Sequence, residues 1–299
     1  MPDIAEIPPA LKTEVPRSQW GKILVATPVV MSVVATLLAG LASSEMTRAQ
    51  YDRSLAAQLQ SKAGDQWGYF QAKKLRAAMQ ESTLVLLRSG GPIHPLDSGS
   101  LEPYGGLDAR ALEALQKSQM PEMAASTLPP ALKAAVDAFK SGQPEADIAV
   151  RVAAVKNEAV ADALKTAKAN AEAFDAAIAP INQAVERVDE TLKAGTAPAL
   201  SRDYSAARLR FAAVRYEAEA RLNERIANLY EIQVRKAVMS ADRHRGRSDR
   251  FFYGMLAAQV AVVVSTLSLA AQKRSVLWGL AAAAGLAAIA FAAYVYFYV

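Results

Sequence analysis

The chain has no cysteine and only two histidines in 299 residues. The first absence excludes disulfides, thiolate catalysis and cysteine-ligated metals. The second leaves His94 in a Pro-rich stretch and His244 in a basic run. Neither has a carboxylate or a second histidine at ligand spacing, so neither supports a metal site. No phosphate-binding glycine loop, dinucleotide-binding glycine pattern, Gly-x-Ser-x-Gly elbow or His-Glu-x-x-His occurs. The sequence therefore predicts no catalytic residue, no cofactor and no metal.

Charge is missing from three apolar spans, 23–42, 251–271 and 276–299, which contain no Asp, Glu, Lys, Arg or His. About 20 helical residues cross a hydrocarbon core of roughly 30 Å, so each span is long enough to be a transmembrane helix. Ion-coupled transport usually needs an ionisable group at membrane depth, and none is present. The first span is expected to be a retained anchor. Its apolar run is longer than a signal-peptide core and passes without a break into a helical pattern.

Proline is missing from 43–89 and from 201–250. In the first of these, Leu55, Leu59, Ala63, Trp67 and Phe70 recur at helical steps; in the second, Phe211, Val214, Ala218, Leu222, Ile226 and Leu229 do so. Two limbs of near-equal length, each joined to a span, predict an antiparallel helical stalk. Between them, 90–200 is expected to form a helical head. It opens with the Gly/Pro-rich loop 90–107 and continues with helices over 108–119, 130–140 and 144–193. Pro180 should kink or split the last of these, and Ser201 suits the N-cap of the return limb. Residues 1–22 carry four prolines and read as an extended tail, with Trp20 placed as an interfacial anchor. The chain is 52% hydrophobic and rich in alanine, which suits helices over sheets. The expected fold class is thus all-α: an integral membrane protein with three spans, a stalk and a head.

The net charge of +5 is unevenly distributed. Arg243, Arg245, Arg247 and Arg250 cluster just before the second span, where they suit contact with anionic lipid headgroups. No aromatics interleave with them, so no nucleic-acid partner is expected. Basic residues flanking the body outnumber those of the N-terminal tail and the Gln272-Lys273-Arg274 turn, which favours a cytoplasmic body. A short basic hairpin also orients strongly, which argues the other way. In the third span, Ala281, Gly285 and Ala288 provide small residues for close helix packing. The spacing fits a partner in the same chain or in another copy.

Asp65, Gln66, Trp67, Tyr69, Phe70, Gln71 and Lys73 concentrate amide, aromatic and charged groups on about three helical turns. One reading is helix packing with aromatic bodies buried and polar tips satisfied. The other is a partner surface. This segment resembles a bacterial membrane-protein family, the domain of unknown function 4337 family, whose usual core is similar to Ser-Asp-Gln-Trp-x-Tyr-[Tyr/Phe]-Gln-Ala-Lys. Gly64 stands in place of the customary serine. The resemblance implies one span before the motif and a closing pair split by a short basic turn. It implies no activity.

The functional expectation is a non-enzymatic, homo-oligomeric scaffold or accessory subunit contacting membrane lipids and a second protein of a membrane complex. The alternative is an oligomeric channel or small-solute permeation unit, which only Thr27, Ser32, Thr36, Gln259, Ser265, Thr266 and Ser268 could line.

Overall fold

The computed structural model describes residues 19–122, 127–195, 197–270 and 274–298. The tail over 1–18, the side chain of Trp20 and the Gln272-Lys273 portion of the basic turn lie outside the described residues. All regular elements among the described residues are helical. They are α1 (Gln19–Ser89), α2 (Ser98–Leu101) running into a 3-10 turn at Glu102–Tyr104, α3 (Ala109–Lys117), α4 (Pro130–Lys140), α5 (Glu145–Ala153), α6 (Asn157–Ala194), α7 (Pro198–Ala270) and α8 (Arg274–Tyr298). The fold class is all-α, and α1, α7 and α8 are long and apolar enough to cross a membrane.

The chain divides into two compact units. One comprises Met1–Ser54 with Val238–Val299. Its described part is a three-helix bundle in which Ala35, Leu38 and Ala42 of α1 meet Phe251 and Ala258 of α7 and Ala288 and Val295 of α8. The third span therefore has partners within its own chain. Ala281 and Ala288 are buried, and a Cβ built on Gly285 would collide with the Met31 side chain of α1. The small residue here allows a close approach.

The other unit is Leu55–Ala237. Here α1 and α7 are antiparallel: Lys74 meets Glu217, Leu84 packs on Ala206 and Leu209, and Leu87 meets Arg202. As the number rises along α1 it falls along α7. The main core joins α2, α3, α6 and α7 through Leu101, Leu115, Phe174, Val188, Tyr204 and Phe211. Asp108 caps α3 by accepting from the Ala111 amide at 2.6 Å. After α4, the amides of Gly142 and Gln143 donate to the carbonyls of Phe139 and Ala138, and Gly142 has φ of +64°. This pairing is a Schellman stop, which needs a left-handed residue that glycine adopts without a Cβ penalty.

Two local expectations differ from the structure. The helix expected over 144–193 is divided, but at 154–156 and not at Pro180, which lies inside the continuous 38-residue α6. Val155 is buried, and Lys236 of α7 donates to its carbonyl, so tertiary contacts stabilise the break where no Gly or Pro signals it. The return limb starts at Pro198, making Ser201 a first-turn residue whose amide donates to the Ala197 carbonyl at 2.9 Å. Proline suits that first position because its missing N–H would be unpaired there in any case.

Candidate interaction surface

The Trp67 segment lies on α1 inside the unit 55–237. Its inner members are Gln66, Trp67, Phe70 and Lys73, all partly buried. Trp67 and Phe70 meet edge to face with ring centroids 5.5 Å apart. Lys73 pairs with Glu219, which is 9% exposed and also 3.5 Å from Arg215. Lys73, Arg76 and Arg215 surround the Tyr216 ring at 5.4, 5.9 and 4.5 Å, a cation–π cluster that holds α1 against α7. The next residue, Lys74, donates to both oxygens of Glu217 at 2.8 and 2.9 Å. That hydrogen bond holds the Glu217 carboxyl below its ordinary range. Asp65, Tyr69 and Gln71 face outward. Sequence spacing allowed either Tyr69 or Phe70 to join Lys73; Phe70 turns inward and Tyr69 stays 57% exposed.

The outer side of the same helix carries apolar residues that the sequence reading did not single out. Leu75, Met79 and Leu86 are 63, 57 and 71% exposed. Steps of four and seven place them on one face. Ala77 and Leu84 are buried on the opposite face. Over this stretch α1 is apolar on both sides, whereas a helix with one packed face normally presents polar groups on the other. The spacing was legible, but the inner stripe was equally apolar, and only the burial of one separates them.

In the unit formed by 1–54 and 238–299, Arg243, Arg245 and Arg250 are exposed and Arg247 is partly buried. None of the four has an ion-pair partner among the described residues. Between them the helix turns polar groups inward. Ser248 donates to the Ala42 carbonyl at 2.8 Å, and His244 Nδ1 lies 2.5 Å from Glu45, with its Nε2 4.0 Å from Asp52. His94, in the other unit, pairs with Asp203 at 3.3 Å. Each histidine thus gains a carboxylate from a distant helix, which sequence spacing did not reveal. No group of three or more metal-ligating side chains occurs among the described residues.

No curated protein and no solved structure matches the chain. Residues 20–93 match the family model described as Domain of unknown function (DUF4337), which supports the resemblance over that segment.

Proposed function

We propose that the protein is a membrane-embedded, self-associating scaffold or accessory subunit that performs no chemistry of its own. The observation that carries this reading is the bare face of Leu75, Met79 and Leu86 on α1, outside the apolar spans. Exposed apolar residues in a connected stripe are a feature of interaction sites on soluble surfaces. A second copy of the same helix would offer matching residues at the same spacing, as a two-fold interface requires. The four arginines before the second apolar segment, without ion-pair partners among the described residues, support contact with anionic headgroups, and the flanking charge supports a cytoplasmic body at a bacterial inner membrane. A second membrane-complex protein binding the helical body would make the assembly an accessory platform.

The permeation reading has less support. The hydroxyls of Thr27, Ser32, Thr36, Ser265, Thr266 and Ser268 each donate to a carbonyl of their own helix. This arrangement satisfies them in an apolar setting and leaves Gln259, exposed on α7, as the remaining polar candidate to line a path.

Native mass spectrometry and crosslinking of the full chain in mild detergent test the scaffold reading. The wild type should run as an oligomer, and a Met79→Glu/Leu86→Glu double variant should shift to monomer with unchanged helix content. A wild type that is strictly monomeric and brings no other protein with it would overturn the proposal.

A further inference from the structure

We propose that a cleft between α4 and α7 binds a small organic acid that also carries an O–H or N–H donor, such as a 2-hydroxy or 2-amino acid. The cleft lies wholly within the unit 55–237 and has a volume of about 470 Å³. That is within the ordinary range for small-molecule sites. One wall is a single face of α4, with Lys133, Val136, Asp137 and Lys140 at helical steps. The other is a single face of α7, with Arg221, Glu224, Arg225, Asn228 and Leu229. Two such faces would normally close on each other with apolar side chains. Here Val136 and Leu229 are buried, and the walls are bridged by an ion pair between Lys140 and Glu224 at 2.6 Å.

Two unmet groups define the ligand. Asn228 is 3% exposed, yet its Oδ1 is buried without a hydrogen-bond partner among the described residues. Buried polar atoms are nearly always paired, so an orphaned acceptor in a cleft calls for a donor from outside. The second group is Arg225. The neighbouring carboxylates are already engaged: Asp137 pairs with Lys133 at 2.6 Å and Glu224 with Lys140 at 2.6 Å. Arg221 pairs with Glu217 at 3.5 Å. Arg225, partly buried, has no carboxylate among the described residues. A guanidinium presents a planar fork that matches a carboxylate better than it matches water or a lone hydroxyl.

Arg225 and Asn228 are three residues apart on one helix, so a single small molecule spans both. Its carboxylate lies on Arg225, its donor on the Asn228 Oδ1, and a short apolar portion against Val136 and Leu229. The stripe on α1 takes no part, so this inference and the scaffold reading stand or fall separately.

The test uses three matched probes on the detergent-solubilised full chain, followed by titration calorimetry. These are L-2-hydroxy-4-methylpentanoate, L-leucine and the donor-less 4-methylpentanoate. At least one of the first two should bind about tenfold more tightly than the third. Arg225→Gln should weaken that probe about tenfold or more. Asn228→Leu should bring the donor-bearing and donor-less acids to equal affinity. The comparison of probes on the wild type needs no variant, so it decides the matter even if Asn228→Leu fails to fold. Whichever of the hydroxy and amino acids binds identifies the donor. No saturable binding of any probe up to about 10 mM, equal binding of all three, or binding untouched by Arg225→Gln would each overturn the proposal.

Discussion

The Tyr204 ring is fully buried, and its hydroxyl donates to the Val185 carbonyl at 2.6 Å. Burial pushes this phenol up, well above the ordinary tyrosine range, so it remains a neutral donor at every pH the protein meets. Tyr204→Phe keeps the ring and removes the bond, and should cost about 1 kcal/mol in urea or thermal unfolding. The larger loss from Tyr204→Ala, about 3–5 kcal/mol, would add a cavity in the core shared by α6 and α7. Glu217 tests electrostatics instead. Its carboxyl is held below the ordinary value of 4.5 by the hydrogen bond from Lys74. A depressed carboxylate contributes stability that is present above its unfolded value and is lost as pH falls through the folded one. Wild type should therefore melt above Glu217→Gln at neutral pH by an amount worth about 0.2–1 kcal/mol, and the two should converge below the usual carboxylate range. A gap that widens in acid would contradict this assignment.

At the scale of elements, the end of α1 depends on a side chain more than a hundred positions away. Arg202 donates to the carbonyls of Leu87, Gly90 and Gly91 at 2.6, 2.9 and 2.9 Å, filling acceptors that a helix C-terminus leaves open. Arg202→Ala should cost about 1.5–3 kcal/mol and speed amide exchange across the last turn of α1 and the following loop. Exchange unchanged there would show that the loop is held by other contacts. A second test lies on α8. A Cβ on Gly285 would meet the flexible end of the Met31 side chain and force it to move, whereas a Cβ on Gly279 meets nothing within 4 Å. Gly285→Val should lower the melting temperature in detergent, and Gly279→Val should leave it nearly unchanged. Equal effects would indicate that the close α1–α8 approach contributes little.

For the whole molecule, the lack of cysteine becomes an experimental asset, since any introduced thiol is unique. The expected orientation puts the body on the cytoplasmic side and the turn before α8 on the other. Ser61→Cys should then resist a membrane-impermeant maleimide in sealed right-side-out vesicles and react in inverted ones. Ser275→Cys should show the opposite pattern. If both react from the same side, the chain does not cross the membrane as proposed. The reverse pattern for both would invert the orientation and show that the short basic hairpin outweighs the flanks of the body.

Several features were fixed by sequence alone because they are local. Uncharged runs long enough to span a bilayer, proline-free limbs and alanine-rich segments between Pro and Gly signals are all readable along one strand of text. They specify an all-α chain with three apolar helices. Small residues on α8 announced close packing in the same way. Tertiary structure decided everything that depends on partners far apart in sequence. It divided α5 from α6 by burying Val155 and engaging its carbonyl, and it turned Phe70 inward while leaving Tyr69 outside. It gave His244 to Glu45 and His94 to Asp203, and it left Asn228 Oδ1 and Arg225 in one cleft without partners among the described residues. Helical period says which residues share a face. Which face is covered, and by what, follows only when distant segments compete for the same buried surface.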